Sequence, residues 1–380
     1  MSKEFYCPLP FKHAYVENEG IAACCQTPRY KVPLNEWVSH PKLLELQQAL
    51  LDNKVTDVCQ GCFKQEELQG QSLRTNSLRD YNNKRFTETD IDFIDFRSFN
   101  ICNFKCRSCN PQFSHGIGQE VKNNPKLKRY FGSVTESKTV SVDDENVNWI
   151  KDNLHSLKRI MFTGGEPTRI PGVKLLIEQI RNNYPDIQVL ITSNASFQDD
   201  FWYDLTKTFR NLHWTVSIDA IGDAASIIRH GSNWDIIEKN VRWLAKHSYS
   251  LDINTVVTNL NIFHLGQVLE FGREMQKQSA TPLGKNGDLG CRHQFHICTR
   301  PYHLSADNLS EDLLASANVY LQELTTLDLD TEQSQMLDGL IQQISNASYS
   351  ANLWEKQHDY NVQLDNIRNE NHTILYEVQK

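Results

Sequence analysis

No stretch of this chain is apolar for the width of a bilayer. A spanning helix needs about 18 to 20 consecutive apolar residues, and the 380-residue sequence has no such run, so no membrane span is expected. The first residues, Met1-Ser-Lys-Glu-Phe-Tyr-Cys, lack the apolar core of an export signal. The expected location is the cytoplasm. Positive charge is short as well: 39 Lys and Arg stand against 47 Asp and Glu, a formal net charge of −8. A surface that coats nucleic acid is more often basic, so bulk nucleic-acid binding is not favoured, although a local basic groove stays open. Internal repeats and low-complexity tracts are missing too. What is left is ordinary for a globular chain, with 39% hydrophobic and 23% charged residues. The length suits one large domain with a small one, or two ordinary domains.

One residue type is abundant. Ten cysteines are many for a chain without an export signal, and metal ligation explains them better than disulfides. They are also clustered. Cys7, Cys24, Cys25, Cys59 and Cys62 lie near the N-terminus, and Cys102, Cys106 and Cys109 lie within eight residues. Cys291 and Cys298 stand late and apart. Their odd separation puts them on opposite faces of a continuous strand, so free thiols are expected there.

Hydrophobic patterning divides the chain into three segments. Residues 1–85 form a small cysteine-bearing domain with turn signals at Pro8, Pro10, Gly20, Pro28 and Pro33 and a helix over Pro41–Leu51, whose apolar face is Leu43, Leu44, Leu46 and Leu50. The polar segment from Arg79 to Arg85 reads as a linker. Over residues 86–305, short apolar runs alternate with longer helical-period stretches. The runs are Ile91–Phe96, Arg159–Phe162, Ile187–Thr192, Trp214–Ile218, Leu251–Val257 and Phe295–Ile297. Between them, Val147, Ile150, Leu154 and Leu157 share one helical face; Val173, Leu176, Ile177 and Ile180 share another; Ile237, Val241 and Leu244 a third. This alternation predicts an α/β fold with parallel strands and right-handed crossovers. Six strands suit a partial (β/α)6 barrel, with the ligand site at the C-terminal strand ends. Residues 306–380 read as a helical extension with Leu313, Leu314, Val319, Leu321 and Leu324 as its apolar set.

Phe99-Asn-Ile-Cys102-Asn-Phe-Lys-Cys106-Arg-Ser-Cys109-Asn-Pro follows the first of these strands. Thiolate is the soft ligand that iron–sulfur clusters use, and a fully cysteine-ligated cluster needs four of them. Three leave one iron open to a small molecule, the logic that separates catalytic from structural metal sites. The bland readings are a zinc knuckle or three unrelated core thiols. The CxxxCxxC spacing resembles the cluster motif of the radical S-adenosylmethionine (SAM) superfamily. One departure is Ser108, where members often carry an aromatic residue; it removes no ligand. The resemblance implies a 4Fe-4S cluster on Cys102, Cys106 and Cys109 whose open iron binds the amino and carboxylate groups of SAM. It further implies reductive cleavage of SAM to methionine and a 5′-deoxyadenosyl radical that abstracts a hydrogen atom from a substrate.

Later motifs follow in the family's order. Gly164-Gly165-Glu166-Pro167 ends the second strand; glycines let backbone approach a ligand, and a carboxylate suits an ammonium group. It is similar to the family's SAM amino-group motif. Ser193-Asn194 ends the third strand and resembles a Thr-Asn-Gly-type ending, with a simple turn as the even alternative. Ser217 and Asp219, two apart, share a face and resemble the family's ribose-binding pair. Arg229 resembles the arginine of peptide-modifying members, which implies a pairing with the SAM carboxylate; the bland alternative is a surface ion pair. The likeness spans about residues 91 to 300.

The N-terminal cysteines resemble the auxiliary-cluster (SPASM or twitch) domain of some members. Gly20-Ile-Ala-Ala-Cys24-Cys25 fits a Gly-x4-Cys pattern, and Cys59-Gln-Gly-Cys62 closes the region. Such domains usually follow the barrel, and here the region precedes it. The resemblance implies a second 4Fe-4S cluster on Cys7, Cys25, Cys59 and Cys62, with Cys24 able to replace Cys25. Structural zinc is the competing reading, since CxxC suits it equally. Implied partners are a one-electron donor such as flavodoxin or ferredoxin and a substrate, a peptide to be oxidised or cross-linked. The rivals are a small metabolite or nucleotide substrate, and a zinc-stabilised binding module without catalysis.

Overall fold

The computed structural model describes residues 4–69, 72–97, 99–131, 145–281 and 290–377. The chain divides into two compact units, Met1–Phe99 with Lys138–Ile191 and Asn100–Ser137 with Thr192–Lys380. The strands are β1 (His13–Glu17), β2 (Gly20–Ala22), β3 (Phe93–Arg97), β4 (Arg159–Phe162), β5 (Gln188–Ser193), β6 (Leu212–Ser217), β7 (Ser250–Val257) and β8 (Gly290–Ile297). The strand order is β2-β1-β3-β4-β5 in the first unit and β6-β7-β8 in the second. Described pairings are parallel except for β1 with β2. Sequential parallel order with a helix after most strands is the winding of a barrel-type α/β fold, as expected.

In the first unit the six-strand expectation needed an addition. β1 runs parallel to β3 in the register His13↔Phe93 through Glu17↔Arg97, so the N-terminal segment supplies two strands to the sheet. Every residue of β1 is buried. A two-residue turn joins β1 to β2, where Glu17 opposes Gly20. Gly20 is structural: its φ is +137°, and a Cβ there would sit 2.3 Å from the Tyr30 carbonyl oxygen. Glu17 is buried within a strand and is held by Arg29, whose Nε donates to it. The Pro41–Leu51 helix is present with Leu43, Leu46 and Leu50 buried, while Leu44 is 47% exposed and lies off the apolar face. The Pro171–Asn183 helix opens on proline, whose fixed φ suits the first helical position, and buries Val173, Leu176, Ile177 and Ile180. Each such side chain contributes about 1.5–3 kcal/mol, so Ile177→Ala is the kind of change that would loosen this helix.

In the second unit the Trp234–His247 helix is capped by Asn233, whose side chain accepts from the Ile236 N–H, and it buries Ile237, Val241 and Leu244. After residue 306 come three helices, Glu311–Leu324, Thr331–Ser345 and Ala351–Arg368. Ser310 caps the first, and Asp330 with Gln333 forms a capping box on the second. Leu321, Leu324, Leu337, Leu340 and Ile344 pack with Phe263 and Leu269 in one core. Val319 is 62% exposed and plays no part in that face. Among the described residues no helix is long and apolar enough to cross a membrane.

Candidate active site

The second unit holds the three-cysteine loop. Its backbone is tied to the Arg229 segment: Lys105 N donates to His230 O and Arg107 N to Ile228 O, each at 2.8 Å. Ser114 Oγ donates to Phe104 O at 2.9 Å, and the Phe104 N–H points at Cys102 Sγ at 3.4 Å. Cys106 and Cys102 both influence the Cys109 thiol. Packing around it pushes the Cys109 thiol up to about 12, reinforced by Cys106 and Cys102. The Cys106 thiol is also raised by desolvation, partly offset by Arg229. A thiolate ligand must lose its proton, so these half-buried thiols, with proton affinity raised at Cys106 and Cys109, suit a cation that takes the protons' place.

Arg229 lies beside these cysteines. Its Nη1 donates to Asp219 Oδ2 at 2.7 Å. Burial alone would lower its proton affinity, but Cys106 and Asp219 outweigh that and hold the guanidinium charged. Its Nε is buried with no hydrogen-bond partner among the described residues. An orphaned cationic N–H beside a thiol cluster fits an anionic group such as a carboxylate. Asp219 lies just past the end of β6, with Oδ1 accepting from Val256 N at 3.1 Å and its main-chain oxygen from Asn261 Nδ2 at 2.8 Å. Both carboxylate oxygens of the expected ribose ligand therefore already hold protein donors. Ser217, the last residue of β6, is half-buried.

The β5 ending turns as its residues suggest. Ser193 Oγ accepts from Ala195 N, and Asn194 Oδ1 from Ser196 N, each at 3.0 Å. Ala195 has φ +57°, a conformation glycine takes more readily; Asn240 Nδ2 holds it by donating to Ala195 O and Phe197 O at 2.8 and 2.7 Å. Asn194 Nδ2 also donates to Asn103 Oδ1 at 3.0 Å, within the cysteine loop. Sequence reasoning passed over Asn103 and Asn240, because an amide's partners are set by the fold and not by local pattern.

In the first unit, Gly164 has φ +111°, and a Cβ there would meet the Phe99 carbonyl oxygen at 2.8 Å. Gly165 N donates to that same oxygen at 3.0 Å. The glycine pair thus lets the turn after β4 close on the chain following β3. Glu166 is buried and accepts from Thr168 N and Oγ1 at 3.2 and 2.6 Å.

The N-terminal thiols in the same unit influence one another. Burial pushes Cys7 up to about 12, with Ser77 as a side-chain partner and Cys59 and Cys62 adding to the rise. Cys24 is pushed up to about 12 by burial, then by Cys25, with Cys7 and Cys62 contributing. Cys25 is raised by burial, with Arg97 and Asp95 next in strength. Among the described residues no three Cys, His, Asp or Glu side chains converge on a point for a single metal ion. None of the ten cysteines is in a disulfide; Cys291 is buried and Cys298 half-buried. A surface hollow of about 600 Å³ along the Trp234–His247 helix, lined by Lys239 and Trp243, takes in none of the candidate residues.

With that geometry in place, comparison with known proteins gives the class. Residues 96–272 match the Radical SAM superfamily, and the chain carries a radical SAM domain. It is 27% identical over 179 residues to an S-adenosylmethionine-dependent nucleotide dehydratase of Flammeovirga pacifica, covering 45% of this chain and 56% of that one. It is 24% identical over 190 residues to a GTP 3′,8-cyclase of Campylobacter jejuni, covering 50% and 54%. The chain therefore spans about half the length of the curated relatives it matches. Among solved structures, SuiB of Streptococcus suis bound to S-adenosylmethionine is 14% identical with a TM-score of 0.38, covering 86% of this chain and 69% of that one.

Proposed function

We propose that the chain is a radical SAM enzyme that oxidises or cross-links its substrate. The observation that carries the reading is the three-thiol loop of Cys102, Cys106 and Cys109 with the buried Arg229–Asp219 pair beside it. The three thiols would hold a 4Fe-4S cluster with one open iron. When bound there and reduced, that cluster supplies the electron that cleaves SAM to methionine and a 5′-deoxyadenosyl radical, which takes a hydrogen atom from the substrate. The chain's own work is positioning. Arg229, charged and with one unpaired N–H, meets the SAM carboxylate; Asp219 holds Arg229 in place. Gly164 and Gly165 shape a turn that lets backbone approach SAM, and Glu166 meets its ammonium group. Ser217 is assigned to the ribose. Ser193 and Asn194 brace the cysteine loop through Asn103.

The N-terminal cysteines would hold a second 4Fe-4S cluster on Cys7, Cys59, Cys62 and one of Cys24 and Cys25, which would supply a place for the electron left on the substrate. A donor of the flavodoxin or ferredoxin kind would supply the electron. The N-terminal cysteine group favours a peptide substrate. A nucleotide substrate is the second reading, favoured by curated relatives named for a nucleotide dehydratase and a GTP cyclase. The test is anaerobic reconstitution with iron and sulfide quantitation, an absorption spectrum, and 5′-deoxyadenosine measured after dithionite reduction, without substrate and with nucleotides or peptides added. Colourless protein that makes no 5′-deoxyadenosine overturns the proposal; stimulation by nucleotides alone moves the substrate to the second reading.

A further inference from the structure

Arg107 stands between Cys106 and Cys109, yet its side chain is fully buried. Every nitrogen of its guanidinium is used. Nε donates to Ile227 O at 3.1 Å; Nη1 donates to Asn361 Oδ1 at 2.9 Å; Nη2 donates to Asp365 Oδ1 and, at 2.7 Å, to Glu370 Oε2. Its carbonyl accepts from Tyr360 Oη at 3.0 Å. Except for Ile227, these partners come from the Ala351–Arg368 helix and the turn after it. That turn is made by Asn369 in the left-handed conformation, φ +54°, and it is followed by Glu370. The two carboxylates are themselves held: His372 Nδ1 lies 2.6 Å from Asp365 Oδ2, and His230 Nδ1 faces Glu370 Oε1. Burying a guanidinium costs less the more completely it is paired, and here every nitrogen of Arg107 has a partner, so this helix end and the cysteine loop are fitted to each other.

A second set of contacts runs alongside. Arg368, at the end of the same helix, donates to Glu120 Oε2 at 2.7 Å, and Glu120 also takes Lys105 of the cysteine loop. Arg368 Nη1 is buried with no partner among the described residues.

We propose that the last helix and its terminal turn are a clasp on the cysteine loop. Arg107 is its positioning residue, and Arg368 ties the same helix to the loop through Glu120 and Lys105. The clasp holds the loop in its ligating shape before metal arrives and slows loss of the cluster afterwards. The part that concerns the cluster rests on the function proposed above; the part that concerns the empty loop does not.

Both parts are tested on the full chain with Arg107→Met and with the isosteric pair Asp365→Asn/Glu370→Gln. Amide hydrogen exchange on the metal-free protein is expected to quicken over residues 102–110 by about tenfold to a hundredfold, the scale of losing charged hydrogen bonds, with β6 and β7 unchanged. In the reconstituted protein, iron release to a ferrous chelator should quicken by about tenfold, and the change that SAM makes in the reduced cluster's EPR spectrum should weaken. Loop exchange and iron release equal to wild type in both variants overturn the proposal. So does faster exchange across the whole unit in both, because the network would then serve folding in general. If the wild type takes up no iron, the proposed function falls while the exchange measurement still decides whether the clasp exists.

Discussion

The two cysteine groups of this chain are built on opposite plans. The central loop offers three thiols and sets them beside charge: Arg229, Asp219 and Arg368 all act on Cys106. The N-terminal group offers five and sets them mainly beside one another, with Cys7 and Cys62 buried and Cys24 influenced by Cys25, Cys7 and Cys62. A donor set one short, next to a guanidinium with an unpaired N–H, leaves both a coordination position and a counter-charge for a small molecule. A set with enough thiols to close has no place for one. The comparison teaches that cysteine count alone separates the groups less well than what surrounds them.

The comparison breaks most completely at the central loop. Replacing Cys102, Cys106 and Cys109 together with alanine is expected to abolish 5′-deoxyadenosine formation while the chain keeps roughly one cluster's worth of iron in the N-terminal group, about four per chain. Unchanged 5′-deoxyadenosine in the triple variant would falsify the assignment. Zinc in place of iron in that variant would make the N-terminal group a structural site.

The converse variant, Cys59→Ala with Cys62→Ala, is expected to halve the iron and leave 5′-deoxyadenosine formation largely intact. Turnover of the true substrate should stop, because its radical has nowhere to send an electron. Loss of SAM cleavage along with the iron would show that the two groups do not divide the work.

Much of this plan was legible in the sequence, and the reasons are local. The six expected apolar runs became β3 to β8 because each is a short apolar stretch between turn-forming residues, and the helical faces of Val173–Ile180 and Ile237–Leu244 are buried as their spacing predicts. β1 was passed over because Lys12, His13 and Glu17 make its edges polar. Those residues are buried only through partners elsewhere, Asp90 for Lys12 and Arg29 for Glu17. Leu44 and Val319 were counted as apolar-face residues and are exposed, since composition marks a face less sharply than packing does. The clasp on Arg107 was invisible for a plainer reason: its carboxylate partners lie 258 and 263 residues away, and no local pattern reports a contact at that separation.

A smaller effect is expected at the SAM contacts. Glu166→Ala should weaken SAM binding by roughly tenfold to a hundredfold, the value of one charge-assisted hydrogen bond, with iron content unchanged. Asp219 is a different case because it also neutralises buried Arg229. Removing one partner of a buried pair leaves the other uncompensated and costs about 3–5 kcal/mol, so Asp219→Ala should lower the melting temperature as well as SAM affinity, and Asp219→Asn should spare more of both. Equal melting curves for wild type and Asp219→Ala would show that the ion pair is not what holds Arg229.

The finest distinction lies within the N-terminal group, between neighbours. The Gly20-x4-Cys25 spacing points to Cys25 as the fourth ligand. The side-chain surroundings point to Cys24. Its thiol feels Cys7 and Cys62 as well as Cys25, whereas the strongest charges on Cys25 are Arg97 and Asp95, ahead of Arg29 and Cys62. Cys24 is also fixed by its backbone: its N–H donates to Thr27 Oγ1 at 3.1 Å, and its carbonyl accepts from Thr27 N and Oγ1 at 3.1 and 3.0 Å. A ligand held by a turn loses less freedom on binding metal than one that is not. We therefore expect Cys24→Ser to speed iron release from the N-terminal group by about tenfold and Cys25→Ser to leave it near wild type, measured by chelator challenge in the background lacking Cys102, Cys106 and Cys109. The opposite ranking would restore Cys25 as the ligand and show that the spacing pattern outweighs the packing. Equal release from both variants would mean that either thiol closes the site, which two adjacent cysteines on one turn can do.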